Sequence, residues 1–348
     1  MNATIVGFSP AERETYTTQG WLVRKNLMAA EQLDALTRAI TAQLDAECKK
    51  LIEKRLLTSK ECCFDAPFDE RFGRIIHQLP EDKDKARRIL LAAMQDLYLT
   101  GRYRHEVNES GVPPVADTLL QCIRHDPLLD CIESLVGPDI IGSSTFRIRA
   151  KIPHWTPGDK LPYFPAAVPW HQDAGYMLPH CDSQMIVTCW IPLIDATIEN
   201  GCLVVYPWQH QKGILPHEPG GESKYIEIPS KFLQEKKHLP IEMKRGDVLF
   251  LNNMTPHASF DNKSQQTRWS MDIRYASAAI PNNVDEDPNT YGPERDPSTM
   301  ACAPTEADFV IRDSKRPERE IRSGEDFFNV RMRYAEQYYH PGLRFGNR

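Results

Sequence analysis

Along residues 28–136 the apolar side chains of this chain recur at every third or fourth position; from Gly137 onward they fall into short continuous or alternating runs. The first period belongs to helices buried on one face, the second to strands. A chain that changes period once builds helices first and sheets second. The fold class expected is therefore a mostly β core with α: a double-stranded β-helix (jelly-roll, cupin-like) over residues 137–280, an N-terminal helical layer over 1–136, and a C-terminal extension of loop and helix over 281–348. At 348 residues these parts fit one domain.

Ser9-Pro10-Ala11-Glu12 opens the ordered chain with a capping serine, a proline at the first helical position and a glutamate placed to complete a capping box. Gly20 stops that helix, and Trp21-Leu22-Val23 reads as a short strand. Residues 28–57 are expected to be helical on a stripe of Leu33, Leu36, Ile40 and Leu44, and residues 84–99 on one of Ile89, Leu90, Ala93 and Leu97. Residues 64–80 have mixed character. Residues 115–136 read as two short helices parted at Pro127. Strands are expected at 144–151, 185–193, 202–206, 225–228, 247–251 and 269–275. Residues 153–169 hold five prolines and a glycine, a loop long enough to form a lid. Residues 281–304 read as a surface loop, and 323–339 as a terminal helix docked by Phe327, Val330, Tyr334 and Tyr338.

The chemistry concentrates in Pro169-Trp170-His171-Gln172-Asp173. Two residues apart on an extended strand, His171 and Asp173 share a face. Two imidazoles and a carboxylate cap one side of a six-coordinate iron and leave three positions open; His257, in Thr255-Pro256-His257, offers the second imidazole. Farther on, Arg268, Ser270, Asp272 and Arg274 share one strand face and Trp269, Met271, Ile273 and Tyr275 the other. The second set reads as packing. Arg268 with a hydroxyl beside it suits a carboxylate; the competing reading, a solvated salt-bridge face, loses ground to the histidine eleven residues upstream.

Arg147, Arg149 and Lys151 also share a strand face, which either meets solvent or points into the barrel mouth to pair with an anionic substrate. Gln172 should face away from the metal while staying near enough to help hold substrate. Trp190 sits inside an apolar run and reads as core. His180-Cys181-Asp182 repeats the His-x-Asp pattern, but its polar setting marks it as a connection, and His210 and His217 read as turn and surface histidines.

Residues 147–275 resemble the phytanoyl-CoA dioxygenase family of Fe(II)- and 2-oxoglutarate-dependent oxygenases. The matching pieces are His171-Gln172-Asp173, Trp190, Asn200-Gly201-Cys202-Leu203-Val204-Val205 with Pro207 and His210, Gly246-Asp247-Val248-Leu249-Phe250, His257, Asn262 and Arg268-x-Ser270. The resemblance implies that His171, Asp173 and His257 bind Fe(2+) and that Arg268, with Ser270 and Trp190, holds 2-oxoglutarate. It further implies that O2 is consumed, that a C–H bond is oxidised, and that succinate and CO2 leave. The family's substrates span acyl-CoA thioesters, amino-acid-like solutes and natural products, and with no clear patch for coenzyme A phosphates a small metabolite or biosynthetic intermediate is expected here. The iron centre would need no separate acid or base, and an aspartate at 173 argues against halogenation. In one departure, Trp208-Gln209 stands before His210 where relatives have Gly-Ser or Gly-Thr.

A net charge of −6 argues against a general nucleic-acid or anionic-membrane surface, and no apolar run is long enough to span a bilayer. Nine cysteines without a Cys-x-x-Cys pair fit reduced thiols, and residues 1–10 lack the marks of a secretory signal, so a cytoplasmic location is expected. The partner expected is a small-molecule substrate, with a homodimer an open possibility. Two other classes remain: a zinc- or iron-dependent cupin-type hydrolase or isomerase, since the same three donors suit zinc, and a non-catalytic metal-binding sensor. Neither accounts for Arg268-x-Ser270.

Overall fold

The computed structural model describes residues 7–99, 115–142, 147–153, 167–176, 182–220, 225–233, 238–278, 309–327 and 329. The helices include α1 (Pro10–Gln19), α2 (Ala30–Glu53), α3 (Phe68–Gln78), α4 (Asp84–Leu99), α5 (Val115–Ile123) and α6 (Asp126–Val136), and residues 324–327 are helical as well. Strand β1 (Trp21–Arg24) lies between α1 and α2. The others are β2 (Ile140–Gly142), β3 (Arg147–Lys151), β4 (Ile186–Pro192), β5 (Leu203–Val205), β6 (Glu218–Gly220), β7 (Tyr225–Glu227), β8 (Leu239–Ile241), β9 (Val248–Asn252), β10 (His257–Ser259), β11 (Arg268–Ser277) and β12 (Phe309–Arg312).

The strands form mostly antiparallel sheets. The largest runs β1-β9-β4-β11-β2-β12, with β3 also paired to β11; β10-β5-β8 make a three-stranded sheet, and β6-β7 a hairpin. At the centre of the large sheet β11 is buried along its whole length, as is β4 beside it. Period two then divides β11. Trp269, Met271, Ile273 and Tyr275 join the core beneath the helices, where Trp269 stacks on Phe68 of α3 at 5.2 Å and the Tyr275 hydroxyl donates to Ile123 O at 2.8 Å. The opposite face carries Arg268, Ser270, Asp272 and Arg274, all buried. Four polar side chains on one buried strand face need partners within the protein or in a ligand, so this face is where a site is built.

The capping box forms as read: Glu12 N donates to Ser9 Oγ at 3.2 Å and Ser9 N to a Glu12 carboxylate oxygen at 2.8 Å, and Gly20 ends α1 in the left-handed region at φ 84°. Helix α2 buries Leu33, Leu36, Ile40 and Leu44, each contributing roughly 1.5–3 kcal/mol of transfer free energy. On α4 the buried positions are Ala86, Leu90, Leu91 and Met94, while Ile89 and Ala93 lie at the margin; this stripe is turned from the expected one. Residues 64–80, which showed no clear period, contain α3. Phe72, Ile75 and Ile76 give it an apolar face, but Gly73 in its middle weakens the helical signal.

Strands β2, β6, β8, β10 and β12 fall outside the expected ones; each is only three or four residues long, a length at which a period is hard to read. Most of residues 153–169, all of 281–304 and most of 323–339 lie outside the described residues, as do 144–146. Among the described residues no helix is long and apolar enough to cross a membrane.

Candidate metal centre and active site

His171, Asp173 and His257 each place a ligating atom within 4.8 Å of the others, and all three are buried. They do not meet by the route expected. His171 forms an isolated antiparallel bridge with His257, and Asp173 opens a 3-10 turn, Asp173–Tyr176, so no continuous strand carries the pair. The turn bends the carboxylate back toward the bridge: the nearest approach of His171 Nε2 to Asp173 Oδ1 is 3.8 Å.

Both imidazoles are oriented in the same way. Nδ1 of His171 lies 2.8 Å from Pro169 O, and Nδ1 of His257 lies 3.0 Å from Thr255 O. A carbonyl only accepts, so each Nδ1 carries a proton and each Nε2 is the nitrogen left for the site. Burial, with His257 beside it, holds His171 well below its ordinary pKa. It is therefore neutral, the form that binds metal.

The carboxylate is gripped from behind. Arg274 Nη2 donates to Asp173 Oδ1 at 2.8 Å and Arg274 Nε to Oδ2 at 3.3 Å, while the Thr188 hydroxyl donates to Oδ2. Burial alone would raise the Asp173 carboxyl, but Arg274, followed by His257 and His171, outweighs it and holds the group well below the carboxylate range. Asp272 continues the chain of charges, accepting from Arg274 Nη1 at 2.7 Å and from Arg149 Nε at 2.7 Å.

A cavity enclosing about 420 Å³ of empty space, part of it open to solvent, opens beside these groups; its wall includes His171, His257, Thr188, Trp190, Ser259 and Arg268. Arg268 is 1% exposed, with its guanidinium carbon 5.1 Å from the Trp190 ring centre. Its Nη1 donates to Ser270 Oγ at 2.7 Å, its Nε has no partner, and it makes no ion pair among the described residues. Burial and the nearby charge of Arg149 push its pKa down to about 9. A buried guanidinium with an orphaned donor and a like charge nearby is stabilised by an anion. The donor set therefore suits a divalent cation with nitrogen and oxygen ligands, and the wall suits a carboxylate next to it.

Several expected placements are corrected. Ser270 braces Arg268 and is not among the cavity-lining residues; the hydroxyl in the wall is that of Ser259, two residues beyond His257. Gln172 is fully buried, spends its carboxamide on backbone, donating to Gly213 O and Met254 O and accepting from Leu215 N, and is not among the cavity-lining residues. Of the three cations on β3, Arg149 alone lines the cavity. Arg147 is half-buried at the register position of Asp272, and Lys151 is buried, donating to Ser259 Oγ at 2.9 Å and to Phe260 O. His217 is no surface residue. It is buried, accepting from Gln172 N at 3.0 Å, with Nδ1 2.8 Å from Leu215 O. Gly175 leaves the space that this ring fills, since a Cβ there would lie 2.7 Å from its Nε2. Trp190 is both core and cavity wall. His180 and Cys181 lie outside the described residues.

Thr188, Arg274, Asp272 and Ser259 were not assigned roles from the sequence. Parity contained the signal: Thr188 is two residues from Trp190, Ser259 two from His257, and Arg274 on the Arg268 face.

The sequence model of the phytanoyl-CoA dioxygenase family matches residues 16–270. The peroxisomal phytanoyl-CoA dioxygenase of Homo sapiens is 31% identical over 155 residues, covering 43% of this chain and 44% of that protein. A methylphosphonate hydroxylase of Gimesia maris is 28% identical over 188 residues, covering 51% and 64%. A probable phytanoyl-CoA dioxygenase of Caenorhabditis elegans is 24% identical over 244 residues, covering 67% and 76%. The chain spans about half the length of the mammalian relatives it matches, 44% and 56% for those of Homo sapiens and Bos taurus. Among solved structures, the apo form of the non-heme monooxygenase ThoJ superposes with a TM-score of 0.52 at 15% identity, covering 93% of this chain and 96% of that one, a likeness of fold. With the family's model matched across residues 16–270, this chain belongs to the phytanoyl-CoA dioxygenase family.

Proposed function

We propose that this chain is an Fe(II)- and 2-oxoglutarate-dependent dioxygenase that oxidises a C–H bond of a small molecule, releasing succinate and CO2. The observation that carries the reading is Arg268: a buried guanidinium with an orphaned donor in the wall of the cavity that His171 and His257 also line. A hydrolytic zinc site does not by itself require that group. His171, Asp173 and His257 would hold the metal and, taking three of six positions, leave room for cosubstrate and O2. Bound iron supplies the capacity to activate O2 and to oxidise an unactivated C–H bond.

The protein's part is placement. Arg268 would bind the distal carboxylate of 2-oxoglutarate, braced by Ser270 and lying over Trp190, with the Ser259 hydroxyl in the same wall. The apolar side chains Val168, Leu203 and Leu251 line the cavity beside the polar groups and limit water there. Arg149 is the side chain we assign to substrate. It lines the cavity with Arg268 and Arg274, a wall suited to an anionic group; the relatives named for phytanoyl-CoA and for methylphosphonate are consistent with such substrates. We further assign the large sheet and the three-stranded sheet to a jelly-roll, with the helices as its outer layer, in one domain.

Anaerobic titration of Fe(II)-loaded protein with 2-oxoglutarate tests the reading. A visible charge-transfer band saturating near one equivalent, and lost in Arg268→Ala, is expected. No band, with zinc retained in preference to iron, would transfer the chain to the hydrolase or isomerase class.

A further inference from the structure

Asp173 is held at both of its carboxylate oxygens. Its Oδ1 is the oxygen nearest His171 Nε2, at 3.8 Å. Its Oδ2 is the one tied to the Thr188 hydroxyl and to Arg274 Nε. Since Arg274 also donates from Nη2 to Oδ1 at 2.8 Å, its planar fork spans both oxygens and fixes the plane of the carboxylate, not merely its charge. The fork is itself aimed. Arg274 Nη1 donates to Asp272 Oδ1 at 2.7 Å, and the other oxygen of Asp272 accepts from Arg149. All of Thr188, Asp272 and Arg274 are buried, and Thr188 and Arg274 are register partners on β4 and β11, so the grip is built into the sheet.

We propose that Arg274 and Thr188 are positioning residues that restrict Asp173 to binding the metal through one oxygen, Oδ1, with Asp272 aiming Arg274. A carboxylate free to swing could chelate through both oxygens and fill a position that cosubstrate or O2 needs. Held by two donors on Oδ2, it cannot. The proposal rests on His171, Asp173 and His257 being the metal site of the proposed function, and Arg274→Lys separates it from a role of charge alone. Arg274 also keeps the buried Asp173 carboxyl ionised. If it served only as that charge, a lysine in its place would preserve metal affinity. If it positions Asp173, removing its fork loosens binding even where the charge is kept.

The experiment is titration of the full-length protein with Mn(II), free metal being read from the aqueous Mn(II) resonance in electron paramagnetic resonance spectra, for wild type, Arg274→Lys, Arg274→Met and Thr188→Val. Thr188→Val keeps the side-chain volume and guards against a folding defect at Arg274. We expect one Mn(II) per wild-type chain and dissociation constants raised about 10–100-fold in both Arg274 variants, the size usual when groups that orient a ligand are lost, with a smaller rise in Thr188→Val. Equal affinity in wild type, Arg274→Lys and Thr188→Val, with a change confined to Arg274→Met, would overturn the positioning role and leave Arg274 a charge neutraliser. Failure of wild type itself to bind Mn(II) would instead overturn the metal site on which the proposal rests.

Discussion

His171 and His257 exchange two backbone hydrogen bonds, His171 N to His257 O at 3.0 Å and His257 N to His171 O at 2.9 Å, and their ring centres lie 4.2 Å apart. A hydrogen-bonded antiparallel pair projects both side chains to the same face. One bridge thus brings together two imidazoles that stand 86 positions apart in the sequence, from 171 to 257. The third donor comes from the turn that follows, whose Ala174 N donates to Asn253 O at 3.0 Å and so ties Asp173 to the segment preceding His257.

Asp173→Ala removes the only charged donor of the three. Two imidazoles remain, and Arg274 is left facing the cavity with its carboxylate gone, which places an uncompensated cation beside the position a divalent metal would take. We expect substoichiometric iron after gel filtration and loss of 2-oxoglutarate turnover, both checked by metal analysis and succinate release. Near-normal turnover would mean that another carboxylate holds the metal.

Arg268→Ala should raise the apparent requirement for 2-oxoglutarate and leave that for iron unchanged. A hydrogen bond to a charged group contributes about 1.5–3 kcal/mol, hence an increase of roughly 10–150-fold in the concentration needed. Arg268→Lys should recover part of this, because a lysine supplies the charge without the fork. Steady-state succinate formation against 2-oxoglutarate concentration reads both; an unchanged requirement would point to another anchor.

The site was legible in the sequence where residue type was decisive and illegible where geometry was. Two histidines, an aspartate and an arginine suffice to name a metal and an anion, and period two on β11 separates Arg268 from Trp269 without coordinates. The same pattern did not tell that Ser270 points at Arg268 while Ser259 enters the wall, since both are serines two residues beyond a site residue. Nor did it show that Asp173 begins a turn: two residues of separation is equally compatible with a strand and with a bridge followed by a bend. Helix α3 was hidden by its own glycine, and β10, which carries His257, is only three residues long.

His180→Ala should leave iron stoichiometry intact. His171, Asp173 and His257 form the only cluster of three potential ligands among the described residues, and the second His-x-Asp supplies none of them. Metal analysis of the purified variant decides. Loss of iron would show that residues 180–182 and not 171–173 provide the pair.

Trp208 stands where the family resemblance leads one to expect glycine, and its backbone lies in the region that favours one: φ is 63° and ψ is −6°, in the left-handed region. An L-residue there costs about 1–2 kcal/mol. The strain is held by the Trp208 N hydrogen bond to Gln19 O at 3.1 Å, which any residue but proline can make, and the indole itself is 48% exposed. Trp208→Gly relieves the strain but loses some packing and adds unfolded-state entropy of about 0.4–1 kcal/mol. The net expectation is a gain of up to about 1 kcal/mol in urea unfolding, with activity unchanged. Gly201 supplies the contrast. Its φ is 88°, and a Cβ there would lie 2.7 Å from Phe260 O and 2.6 Å from Lys151 Cδ. Lys151 is the donor to Ser259 in the cavity wall, so Gly201→Ala should lower stability by about 1–3 kcal/mol and weaken 2-oxoglutarate binding as well. A destabilised Trp208→Gly variant would show that the indole packs better than its exposure implies, and a Gly201→Ala variant of wild-type stability would show that the turn can shift without disturbing Lys151.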